Sequence, residues 1–121
     1  MPSKKPSARN VKQRLDDILT AIDEIRSFIG SMSFEDFVSD RRTYHAVVRC
    51  LEIISEASRH LPASIKGEHS SIEWRRIADS GNVYRHAYEA VSPRRIWDTA
   101  TLHLAAMRPI IAAEFAKLTG K

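Results

Sequence analysis

Cysteine is almost missing from this sequence. Cys50 stands alone among 121 residues, which excludes an internal disulfide framework and any all-cysteine metal site. Glycine is scarce too, at four, and none belongs to a Gly-rich phosphate loop. No His-Glu-x-x-His occurs, and no Glu is followed three residues later by His, so the ligand sets of zinc proteases and carboxylate-bridged dimetal bundles are lacking. No apolar run approaches the roughly 20 residues a membrane helix needs. The basic stretch 1–10 has no apolar core of a signal peptide. A soluble, cytoplasmic, reduced protein with no metal and no cofactor is expected.

What is present is globular: 43% hydrophobic and 28% charged residues, enough for one domain with a core that needs no staples. The formal charge of +4 is unevenly spread. Lys4, Lys5, Arg9, Lys12 and Arg14 fall within residues 1–14 with no acid, leaving 14 bases against 15 acids in the rest. Residues 1–10 read as a flexible basic tail. Such a tail can add non-specific phosphate affinity but is more often a solvated, mobile terminus, so the basic balance is weak evidence for nucleic-acid binding. The folded body is close to neutral.

Apolar residues recur at helical spacing almost throughout. Val11, Leu15, Ile18, Leu19, Ile22, Ile25 and Ile29 form one stripe over 11–29, with Gly30 as the stop. Ser33 with Glu35 and Asp36 starts a second helix, predicted over 34–61. It buries Phe37, Tyr44, Val47, Val48, Leu51, Ile54 and Leu61, and carries a narrower strip of Ala46, Ile53 and Ala57. At about 100° per residue, His45, Arg49, Glu52 and Glu56 fall together between the two strips, a polar seam that reads as a cleft or a subunit contact. Pro62 ends this helix. Residues 62–71 read as a loop, and 72–79 as a short helix with Trp74 and Ile77 inward. Ser92-Pro93 opens the last helix, whose seam of Trp97, Ala100, Leu104, Met107, Ile111, Phe115 and Leu118 predicts packing along its whole length, with a kink at Pro109. The fold class is all-α: an antiparallel bundle of three long helices with one or two short ones between the second and last.

Chemistry concentrates in Gly81-Asn82-Val83-Tyr84-Arg85-His86-Ala87-Tyr88. His86 can exchange protons near neutral pH. Arg85 and Asn82 can hold a phosphate or a ribose hydroxyl, and Tyr84 and Tyr88 can stack or donate a hydrogen bond. On residue types alone, packing and capping explain this cluster as readily as a site does. Cys50 reads as a buried small apolar residue. His60 and His69 read as surface residues, and His103 as surface or a helix contact.

The segments Arg49-x-Leu51-Glu52-Ile53-Ile54-Ser55-Glu56-Ala57, Ile72-x-Trp74-x-x-Ile77, Asn82-x-x-x-His86-x-Tyr88 and Ile96-Trp97, in this order and spacing, resemble the HepT-like proteins of the HEPN superfamily. The resemblance covers residues 11–118. It implies an all-α, usually dimeric protein: a metal-independent endoribonuclease toxin paired with an MNT-type nucleotidyltransferase antitoxin. By the same resemblance, His86 handles a proton of the RNA 2′-hydroxyl and leaving group, and Tyr88 is the residue the partner adenylylates. The family's motif Arg maps onto Gly81, a departure. Either another cation (Arg85, Arg49 or an Arg of a second subunit) replaces it, or the protein is a weak or inactive HEPN dimer that serves as binding partner or adenylylation substrate. His45, Arg49, Glu52, Glu56 and Tyr84 are candidate cleft-lining residues, although a salt-bridged seam explains the two glutamates more simply. A nucleotide-binding bundle without chemistry is a weaker third reading, since no phosphate loop is present.

Overall fold

The computed structural model describes residues 7–83 and 92–119, the side chains of residues 82 and 83 excepted. Tyr84, Arg85, His86 and Tyr88 therefore lie outside the described residues, as do residues 1–6. Among the described residues every regular element is helical.

Helix α1 runs Ala8–Ile29 and buries Val11, Leu15, Ile18, Ala21, Ile22, Ile25 and Ile29. It starts three residues before the expected position because the Ser7 side chain caps it, accepting from the Asn10 N–H at 3.1 Å. Gly30 closes it at φ 53°, its N–H donating to the Arg26 carbonyl. That left-handed φ is one that glycine adopts without a Cβ penalty.

The helix predicted over 34–61 is two helices. α2 spans Phe34–Ser39 and α3 spans Arg41–Arg59. Asp40 divides them: it terminates α2 in an extended conformation, and its carboxylate accepts from the Thr43 N–H at 3.0 Å to start α3. Ser33 and Asp36 form a reciprocal capping box at the head of α2. The apolar face was read correctly across the break: Phe37, Val47, Val48, Leu51 and Ile54 are at most 1% exposed. Each such side chain contributes roughly 1.5–3 kcal/mol by leaving water.

Residues 62–71 are not simply a loop. Pro62 stands before a short helix, α4 (Ala63–Glu68), where its missing N–H costs nothing. The Trp74 indole N–H lies 3.2 Å from the carbonyls of both Lys66 and His69, tying this segment to α5 (Trp74–Asp79). A 3-10 turn, Ser80–Val83, follows.

Ser92 and Pro93 open α6 (Pro93–Asp98) as expected. A wide π-helical turn, Thr99–His103, links it to α7 (Leu104–Thr119), which contains Pro109. Of the seam, Ala100, Leu104, Met107 and Ile111 are buried and Trp97 at its head is half-buried, but the burial does not reach the end. Phe115 is half-buried and Leu118 is 39% exposed, so the last turn of α7 does not pack as predicted.

α1 lies against both α3 and α7, while α5 and the 3-10 turn pack on α3. Rings of Phe34, Phe37, Tyr44 and Trp97 join α2, α3 and α6, with neighbouring centroids 5.3–6.0 Å apart. The three long helices, α1, α3 and α7, are the frame on which the polar groove is built.

Candidate nucleic-acid groove

Between α1 and α3 an open groove of about 330 Å³ is lined by Arg14 and Asp17 from α1, by Arg49, Glu52, Ile53, Ser55, Glu56 and Ala57 from α3, and by Gly81 from the 3-10 turn. The helical angle brings Arg49, Glu52 and Glu56 together, as their spacing predicts. His45 is exposed on α3 one turn before Arg49, stacked edge-on with Tyr44 at 5.7 Å, and does not line the groove. Arg14 and Asp17 were missed by sequence reasoning, because no spacing within one helix points to residues supplied by another.

The charges are largely neutralised in place. Arg49 pairs with Glu52 one turn on, its side chain 62% exposed. Glu56 accepts from Arg59 Nη1 at 3.0 Å and pairs with His60 Nε2 at 2.9 Å. The His60 hydrogen bond, with the charges of Arg59 and Arg14, holds the Glu56 carboxyl below its usual range. His60 is thus a surface residue, as expected, but one that serves the groove's rim.

Ser55 is the structural centre. It is 1% exposed. Its hydroxyl donates to the Ala78 carbonyl at 2.5 Å and accepts from Arg59 Nη2 at 2.9 Å. Arg59 Nη2 also reaches the Ala78 carbonyl at 3.1 Å. These bonds latch α5 and the 3-10 turn onto α3. Gly81 is buried against the same point: a Cβ placed there would stand 2.7 Å from both Cβ and Oγ of Ser55 and 3.3 Å from the Glu52 Cα. The backbone at 81 touches α3 so closely that no larger residue fits unmoved. Gly81 is therefore a packing contact, and an Arg at this position would have to displace the 3-10 turn or Ser55.

Asn82 lies in the 3-10 turn, its side chain outside the description. Among the described residues no histidine lines the groove. Cys50 is buried as predicted, its thiol pushed up to about 11 by burial and by the neighbouring Glu24.

A family model described as ribonuclease HepT-like matches residues 18–114. The chain belongs to the HepT-like ribonuclease family. It is 39% identical over 110 residues to "Probable ribonuclease HepT" of Thermococcus cleftensis, covering 91% of this chain and 96% of that one. It is 33% identical over 110 residues to "Putative RNase MJ0125" of Methanocaldococcus jannaschii, covering 91% of each. No solved structure matches the chain. No helix among the described residues is long and apolar enough to cross a membrane.

Proposed function

We propose that the protein is a metal-independent endoribonuclease acting as the toxin of a toxin–antitoxin pair, with His86 as general acid and base on the RNA 2′-hydroxyl. The observation that supports this most is the groove itself. In the sequence His86 follows by five residues Gly81, which lines this groove with Arg14 and Arg49. The 2′-oxygen attacks the adjacent phosphorus as His86 takes its proton, and the 5′-oxygen leaves with a proton returned. The products are a 2′,3′-cyclic phosphate and a 5′-hydroxyl. Asn82 and Arg85 orient the phosphate, while Arg14 and Arg49 supply cationic surface for the strand. Tyr88 is the adenylylation candidate for a nucleotidyltransferase antitoxin, and the working unit is a homodimer in the cytoplasm.

The test is cleavage of RNA in excess EDTA. Wild type is expected to cut, His86→Ala to lose cutting, and a substrate with a 2′-deoxy nucleotide at the scissile position to resist. Cleavage unchanged in His86→Ala removes the assignment of the base. Sedimentation at twice the chain mass is expected for the dimer.

Gly81 favours a second reading, a catalytically lapsed dimer that binds or is adenylylated by the nucleotidyltransferase. A chain that engages this partner but cuts no RNA, with or without it, establishes that reading.

A further inference from the structure

Glu114 is a carboxylate only 7% exposed, on the face of α7 that also buries Met107 and Ile111. Its Oε2 accepts from His69 Nε2 at 2.7 Å and from Lys117 Nζ at 3.1 Å. Among the described residues no hydrogen bond reaches its Oε1. A carboxylate oxygen keeps two lone pairs, so Oε1 can take a further ligand. Beside it, at the end of α4, the exposed Glu68 carboxylate has no hydrogen bond or ion pair among the described residues. Ligand atoms of Glu68, His69 and Glu114 all lie within 4.8 Å of one another. The lysine offered is on a flexible stem with a side chain 65% exposed, a weak counter-charge for a buried acid.

We propose that Glu68, His69 and Glu114 form a binding site for a divalent transition-metal ion of the zinc class at the junction of α4 and α7. One imidazole nitrogen and two carboxylate oxygens are a three-ligand set that such ions accept, with water in the fourth position. Metal–ligand bonds of about 2.0–2.1 Å place tetrahedral neighbours roughly 3.3 Å apart. The ion therefore takes the place of the proton between His69 and Glu114, lengthens that contact slightly and draws in the exposed Glu68. Any proton on the coordinating nitrogen leaves with binding, and Lys117 swings into solvent. The bound ion pins the segment after Pro62 to the last helix. None of the three residues lines the RNA groove, so the site acts on the fold, separately from the nuclease reading.

The experiment is calorimetric titration of the full chain, stripped with EDTA and dialysed, with Zn²⁺ alone at pH 7.5, alongside thermal melts. One ion per chain and a raised Tm are expected. Glu68→Gln, at an exposed position that leaves the fold intact, and His69→Ala each weaken binding by at least about tenfold. His60→Ala, on the far rim of the groove, leaves it unchanged. A chain that takes up no Zn²⁺, or takes it up equally well as Glu68→Gln and His69→Ala, overturns the proposal.

Discussion

Gly81 shows how much one residue decides. A Cβ at this position would stand 2.7 Å from Ser55, closer than packed atoms approach. Gly81→Ala is expected to lower stability by about 1–3 kcal/mol, the usual cost of forcing an atom into a packed contact, read as a lower urea midpoint with unchanged m. A midpoint equal to wild type would show that the turn moves freely. Cys50 offers a second test at this scale. With its thiol 4% exposed and pushed up to about 11, almost no thiolate exists at pH 8. Iodoacetamide is therefore expected to leave the native chain unmodified at that pH and to alkylate it fully in urea, as mass spectrometry reads directly.

At the scale of elements, the contact between α4 and α7 should depend on pH. Hydrogen bonds from His69 first, and then from Lys117, hold the Glu114 carboxyl below its ordinary value of 4.5 in the folded protein. A depressed carboxylate adds stability that is complete above the unfolded pKa and disappears as pH falls through the folded one. Glu114→Gln in metal-free buffer is thus expected to melt below wild type at pH 7, with the gap closing as pH falls below the ordinary value of 4.5 and through the lower folded one. Parallel melting curves across that range would show that the carboxylate's charge contributes nothing. The same scale shows what was legible in the sequence. Helix faces were, because the 3.6-residue period records which side meets the core: the stripes of α1 and α3 are buried nearly residue for residue. The break at Asp40 was not, since one carboxylate ends one helix and caps the next without interrupting the apolar period. The Arg49–Glu52–Glu56 wall was visible as one face of one helix. Arg14, Asp17 and the His69–Glu114 pair were hidden, because each depends on two helices meeting, and 45 residues separate that pair. His69, read from sequence as a surface residue, is half-buried for that reason.

For the whole molecule, the excess positive charge is concentrated in residues 1–14, of which Arg14 reaches the groove. The chain carries +4 overall, yet beyond residue 14 its bases and acids nearly balance, and Arg49 and Glu56 in the groove are already paired. Under the proposed function, long-range attraction to RNA falls largely to the N-terminal bases. Removing residues 1–6 takes away Lys4 and Lys5 but keeps Ser7, the cap of α1, so the fold should survive. Each phosphate contact on a single strand contributes about 0.7 to the slope of log K against log salt. The shortened chain is expected to bind RNA with a slope smaller by up to about 1.4, while its cleavage rate at saturating RNA stays unchanged. Fluorescence anisotropy over a salt series reads the first quantity and single-turnover cleavage the second. An unchanged slope would move the attraction onto the folded body, where Arg49 would have to give up Glu52 to hold the strand.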